Sequence, residues 1–518
     1  MAYYIGIDMA GTQIARKYIA ALAALVLLFA GIVLFWRLGS APFQDYDEAT
    51  YAEIVSESLA HGDYVSLTFL NQPYFRKPPL MFWMADVARA ALPATDDGFA
   101  MRLPNALAAL GLVALVMLVV WEAGAGWWAS LAAGTVLATT SAFMESARSS
   151  RFDQLVSFFI VLALYAGMRA LRANREALEG NGDERRSAWW YALMGAAVGG
   201  AVLSKSVIAV FAPIALLAYF AYTKNLSELL RARFWISIAA FLLVAAPWHI
   251  YETIRFGQDF WHSYLGTQVI DRAQQNLFAG TNSPTNAGYL GYFLRFGAPW
   301  SELFVLAFIA MPFLLRHTKQ GISATYRAAF VATLAVAVVD FVSKTKAVSY
   351  LIPLYPFVAI MIALAASAAW QCTSGFERYR EQAQGALWGV WKFCGLVAAF
   401  LCIYNAWHIN PYYGWTANEA RDEQAIANAI NARTDTPTIY TYKNDDLGSV
   451  EYYTRLAFKP SEFVYPLESA ASSTAAVPAG SFVLTQDPAA LRAAFPQLSF
   501  EPLYAGSVLS AFGVAATP

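Results

Sequence analysis

The sequence predicts a polytopic α-helical membrane protein with helical loops gathered on one side and a small α/β tail. Three observations carry this. The 518 residues are 58% hydrophobic and only 14% charged, with a mean hydropathy of +0.43, where a soluble domain carries about 25% charge. Apolar runs of about 20 residues, the length that crosses a hydrocarbon core, recur through residues 1–408. Residues 39–102 and 253–297 are much longer than helix connections need and carry amphipathic pieces of their own.

The apolar runs fall at 18–38, 103–122, 126–144, 154–172, 189–204, 206–222, 234–252, 298–315, 325–343, 347–369 and 389–408, about eleven spans. The first is long and no small-residue cleavage site follows it, so it reads as a signal anchor. Ser204-Lys205-Ser206 interrupts the stretch 189–222. A lysine at the bilayer centre is costly, so two short helices are expected to meet near one membrane face.

Arg16 and Lys17 precede the first span, and Arg169, Arg172, Arg175, Arg185 and Arg186 precede the fifth. Lys224, Arg231 and Arg233 follow the sixth, and Arg316, Lys319 and Arg327 separate the eighth and ninth. An inside N-terminus puts every cluster in the cytoplasm, as positive-inside charge bias requires. The loops 39–102, 145–153, 253–297 and 343–348, the Lys205 corner and the tail 409–518 then share the outer side. In the tail, 425–432 is helix-like, and 438–442 and 481–484 are strand-like.

Net charge is −1, so no basic surface points to nucleic acid. The three cysteines, Cys372, Cys394 and Cys402, have no metal-ligand or disulfide-framework spacing.

In the first outer loop, Tyr51, Ile54, Val55 and Leu59 recur at helical spacing with Glu53 and Glu57 on other faces. This suggests a helix along the interface. Asp45 and Glu48 are spaced as a capping box, which leaves Asp47 without a structural role. Further on, Arg76 and Lys77 stand before Pro78-Pro79 and an apolar helix through Leu92. Two cations at a helix start suit a phosphate, and equally suit anchoring to lipid headgroups. Lys205, Arg272, Lys344 and Lys346 fall on the same side, so together these cations suggest a cavity for an anion near the membrane surface. Asp153 opens the fourth span, where a carboxylate needs a partner; Arg151 or a helix-cap role is the structural reading.

These motifs resemble bacterial membrane glycosyltransferases of the GT-C class, the aminoarabinose transferase and protein O-mannosyltransferase relatives. The resemblance runs through Asp47-Glu48 and Tyr51-Ala52-Glu53-Ile54, then Pro73-Tyr74-Phe75 and Lys77-Pro78-Pro79-Leu80, then Ala147-Arg148 to Asp153. It continues with Leu203-Ser204-Lys205, Pro247-Trp248, Ser343-Lys344-Thr345-Lys346 and Tyr350 to Pro356. It spans about residues 15–370. Ser206 stands where relatives often have glycine, and the Trp-Trp-Asp signature of oligosaccharyltransferases is absent.

The resemblance implies inverting transfer of a sugar from a polyprenyl (undecaprenyl) phosphate, in the periplasm, by a multi-pass inner-membrane enzyme. The acceptor would be lipid A, another envelope glycan or a protein. It implies Asp47 at the reacting centre with Asp153 as second carboxylate. Lys77, Arg272 and Tyr350 would hold the donor phosphate, with Lys205 and Lys346 as further basic positions and Glu48, Tyr74 and Arg76 in support. No metal or other cofactor is required, because cations already offset the growing phosphate charge. Membrane lipid is an expected partner, nucleic acid is not, and the chain is expected to act as a monomer. The rival from another class is a flippase for the same lipid, which predicts mid-membrane ionisable residues and inverted repeats. Neither stands out in the sequence.

Overall fold

The computed structural model describes residues 9–43, 47–93, 97–275, 285–373, 415–434, 437–442, 464–467 and 477–515. Asp45 and the expected span at 389–408, with Cys394 and Cys402, lie outside them. The chain is a multi-pass membrane protein. Among the described residues, seven helical segments are long and apolar enough to cross a membrane, or eight counting one bent pair.

The first described element is α1 (Met9–Phe35). The first loop then contributes α2 (Asp47–His61), the short antiparallel strands β1 (Thr68–Phe69) and β2 (Gln72–Pro73), and α3 (Leu80–Ala91). Next come α4 (Asp97–Glu122), α5 (Trp127–Thr139) with its extension α6 (Ser141–Ala147), α7 (Asp153–Leu178), α8 (Glu184–Lys205), α9 (Phe211–Tyr222) and α10 (Ala232–Phe256). The second long loop holds α11 (Gln258–Trp261), a π-helical stretch His262–Asp271 and α12 (Arg272–Gln274). Then α13 (Asn286–Gly297) and α14 (Trp300–Leu314) meet at 106°. They are followed by α15 (Gln320–Val342), a tight turn Val348–Leu351 and α16 (Leu354–Thr373).

Residues 184–222 go out and come back. The helix breaks at Lys205, and Ser206 takes φ +44°, a left-handed backbone that glycine adopts freely and serine does not. Both ends of the segment lie on one side. Glu184 accepts from Arg233 at 2.6 Å, and Glu228, five residues beyond Thr223, accepts from Asn174 and Tyr191. The expected corner is therefore the tip of a helical hairpin. Small residues let its first arm pack tightly, since a methyl at Gly195 would collide with the Ser237 carbonyl of α10.

The helix α2 departs from expectation. It is inside the protein, not along the lipid interface: Tyr51, Ile54 and Val55 are buried against Met81 and Phe82 of α3 and Phe152 and Leu155 at the start of α7. Glu53 and Glu57 are buried too, and Glu57 accepts the Asn71 N–H at 3.0 Å and the Thr68 hydroxyl. Acids read from spacing as surface are here internal anchors for the loop's own turn. The far side of the loop is tied to α10. Ser66 donates to buried Glu252 at 2.8 Å, Trp248 Nε1 donates to the Val65 carbonyl at 3.0 Å, and Phe75 packs edge-on against Phe256 and Phe260.

In the tail, α17 (Trp415–Asn431) lies against a sheet of β3 (Ile439–Tyr442), β4 (Val464–Pro466), β5 (Phe482–Thr485), β6 (Phe500–Ala505) and β7 (Ser510–Val514), with α18 (Pro488–Ala494) after β5. The strand order is β4-β3-β5-β7-β6, with β3 parallel to both neighbours and β7 antiparallel to both of its own. Ile439, Phe482 and Leu484 pack on Ile426 and Ile430 of α17, while Tyr440, Val483 and Phe495 form a core on the other face. Both stretches read as strand-like, 438–442 and 481–484, fall on central strands of this sheet, buried on both faces.

Candidate active site

Five separate segments converge at the loop-bearing end of the helices. Asp47 is the first residue of α2 and Asp153 the first of α7, where the helix N-terminus favours a carboxylate. Asp47 accepts from the Tyr51 hydroxyl at 3.1 Å and pairs with Arg151 at 3.4 Å. Asp153 instead pairs with Lys205 at 2.5 Å, both groups largely buried. The structural pairing of Arg151 with Asp153 suggested by their spacing is thus replaced by two crossed pairs, because the turn 148–152 aims Arg151 back at α2.

Lys205 also lies 5.0 Å from the centre of the Tyr350 ring, a cation–π contact. The Tyr350 hydroxyl accepts from Arg272 at 2.8 Å. The backbone of Arg272 is fixed in turn by Thr345, whose N–H donates to the Arg272 carbonyl at 3.1 Å and whose hydroxyl donates to the Gln275 carbonyl at 2.6 Å. Lys77 lies within electrostatic reach of Lys205, Arg272, Asp47 and Asp153 and makes no salt bridge among the described residues.

The site thus holds four cations (Lys77, Arg151, Lys205, Arg272) against two carboxylates, an imbalance that an anion would correct. The titrations reflect it. Burial alone would push the Asp47 carboxyl up, but Arg151, Lys77, the Tyr51 hydroxyl and Lys205 outweigh it and hold the group below its usual range. Burial, with Lys205 and Arg272 close by, pulls Lys77 down to about 7 against the opposing effect of Asp47 and Asp153.

Other expected residues take different places. Lys346 donates to the carbonyls of Asp340, Phe341 and Ser343 at 2.9, 3.2 and 2.6 Å, capping the end of α15. Tyr74 is buried edge-on to Phe82 and Arg76 is exposed. Glu48 has a role beyond the capping expectation: its carboxylate accepts from Arg102 Nε and Nη2, both at 2.9 Å, and from the Ser150 N–H at 2.6 Å.

The sequence reading missed two arginines that build this frame. Arg102 is fully buried and uses all five N–H groups, on Glu48 and on the carbonyls of Leu38, Ala41 and Pro42. Arg148 caps α1 through the carbonyls of Val33, Leu34 and Trp36. Apart from the resembling motif that includes Arg148, the signal was a cation at each end of an apolar run, which also fits lipid anchoring.

A profile of the dolichyl-phosphate-mannose-protein mannosyltransferase family matches residues 23–264. The chain is 31% identical over 367 residues to an undecaprenyl phosphate-alpha-4-amino-4-deoxy-L-arabinose arabinosyl transferase of Aeromonas salmonicida, covering 68% of this chain and 61% of that protein. A namesake from Sodalis glossinidius is 27% identical over 415 residues, covering 68% and 70%. The chain thus spans about three fifths of the Aeromonas relative. The crystal structure of ArnT from Cupriavidus metallidurans bound to undecaprenyl phosphate superposes with a TM-score of 0.68 at 18% identity, covering 97% of this chain and all of that one. The archaeal oligosaccharyltransferase AglB from Archaeoglobus fulgidus superposes with 0.58 at 13% identity, covering 91% and 70%. The fold is that of the GT-C membrane glycosyltransferases. Within that class, the sequence is most readily compared with the aminoarabinose transferases and PMT-like mannosyltransferases, which it resembles over the first half and more of its length.

Proposed function

We propose that this protein transfers a sugar from a polyprenyl phosphate to an envelope acceptor, with inversion, on the periplasmic face of the inner membrane. One observation carries the reading: Lys77, Lys205 and Arg272 with Tyr350 surround a place for an anion beside two carboxylates at helix N-termini. Relatives whose names contain undecaprenyl phosphate aminoarabinose support a donor of that chemistry. Residues 1–408 would form the catalytic membrane unit and 409–518 a periplasmic unit.

In the reaction, the acceptor oxygen attacks the anomeric carbon from the face opposite the phosphate. The bond from that carbon to the phosphate oxygen breaks, and the lipid leaves as a phosphate monoester carrying one more negative charge. Fixed cations meet that charge where it grows, so they favour the transition state over the ground state. Asp47, held ionised by Arg151, takes the proton of a hydroxyl acceptor or faces the positive charge developing on the sugar. Asp153 fixes the Lys205 ammonium beside Tyr350 and, through it, the phosphate pocket.

Mass spectrometry of envelope lipids and glycans, with and without the gene, tests the reading. Loss of one sugar-bearing species with accumulation of its polyprenyl-linked sugar is expected. An unchanged envelope in cells that make the donor would overturn it.

A further inference from the structure

Beyond the phosphate pocket, a cavity of about 120 Å³ opens between α6, the turn 148–152, α13 and the turn Val348–Leu351. That is room for several waters or one small polar ring. Glu145, Ser146, Ser149, Arg151, Tyr292 and Ser349 contribute to its wall. The cavity touches both halves of the site: Arg151 is the partner of Asp47, and Ser349 precedes the Tyr350 that accepts from Arg272. A group bonded to a phosphate at Tyr350 and reacting beside Asp47 has this space next to it.

The charged groups of the wall are not equivalent. Glu48 is bound by Arg102 and the Ser150 N–H, Arg148 by the carbonyls of α1, and Arg151 by Asp47. The Glu145 carboxylate makes no salt bridge or side-chain hydrogen bond among the described residues, yet lies within electrostatic reach of Arg151 and Tyr292. A carboxylate in this position repels a phosphate and accepts from N–H or O–H groups.

We propose that this cavity is the sugar subsite of the donor, and that Glu145 binds a hydrogen-bond-donating group on the sugar ring, most strongly an ammonium. The proposal rests on the donor reading above. The test uses the full chain in lipid nanodiscs and three probes: undecaprenyl phosphate, the same lipid phosphate carrying 4-amino-4-deoxy-arabinose, and one carrying mannose. Glu145→Gln is expected to leave affinity for the bare lipid phosphate within about twofold. It should weaken the amino-sugar lipid tenfold or more and the mannosyl lipid by a smaller factor. Equal weakening of all three probes, or of none, overturns the subsite. Wild-type protein that binds the sugar lipids through Glu145 but transfers nothing upholds the subsite and sinks the transferase reading instead.

Discussion

Lys205 reaches Asp153 at 2.5 Å across the adjoining ends of α8 and α7, joining the tip of a helical hairpin to the helix that carries the second carboxylate. The same ammonium rests on the Tyr350 ring. Three segments far apart in sequence thereby share one cation, and the proposed phosphate site depends on all three.

Asp47 is the residue on which the proposed chemistry rests most. Asp47→Asn keeps the size and the Tyr51 contact and removes the charge. Transfer should fall by about 10²–10⁴-fold, with donor binding and thermal unfolding near wild type. Activity within a few-fold of wild type would reject Asp47 as the reacting carboxylate, and loss of folding would make it structural.

Lys77 gives the reaction a pH signature. With its amine near pH 7, it is charged below that pH and loses its proton above it. An anion binds the charged form better, so affinity for the sugar-bearing lipid phosphate, a diester with no proton to lose in this range, should weaken as pH rises from about 6 to 8.5. Lys77→Arg should flatten that profile, since guanidinium stays protonated. Lys77→Ala should cost tenfold or more, as contacts to charged groups contribute about 1.5–3 kcal/mol. A flat wild-type titration would show that Lys77 does not meet the phosphate.

Two substitutions should act on stability and separate framework from site. Glu48→Ala leaves the Arg102 guanidinium buried beside backbone carbonyls with its charge uncompensated, a change that typically costs about 3–5 kcal/mol. A marked drop in unfolding temperature in detergent is expected. Lys346→Met removes the cap of α15 and should lower stability by about 1 kcal/mol while changing donor affinity little. A selective loss of donor affinity in Lys346→Met would return that lysine to the phosphate pocket.

Orientation can be read by labelling. In a background with Cys372, Cys394 and Cys402 replaced, a cysteine at exposed Gln497 in the tail should react with an impermeant reagent from the periplasm. One at exposed Asn181, between α7 and α8, should not. The reverse pattern would invert the topology.

Much of the candidate site's clustering was legible because its residues are rare in such surroundings. Asp47, Lys77, Asp153, Lys205, Arg272 and Tyr350 stand in or beside apolar stretches, where ionisable groups need a reason. The hairpin at Lys205 followed from the same cost. The framework was less legible. Glu48 looked like a cap because its partner, Arg102, lies 54 positions away and pairing at that range leaves no local pattern. Lys346 looked like a ligand because sequence shows that a cation is present but not which carbonyls it faces. The crossing of Arg151 to Asp47 and of Lys205 to Asp153 is a matter of direction, set by the turn 148–152. Spacing alone could not supply it.

The buried arginines also fix how deep the chemistry sits. Arg102 and Arg148 fasten the first loop and the turn 148–152 to the end of α1 through backbone carbonyls, so the height of Asp47 is set by protein and not by headgroups. A lipid phosphate not yet held by the protein, in contrast, rides at the surface of whatever bilayer surrounds it. Thinning or thickening that bilayer by a few ångströms shifts the free lipid phosphate while the carboxylate stays in place. On the proposed reading, host lipid composition thereby bears on how readily a lipid donor reaches the site.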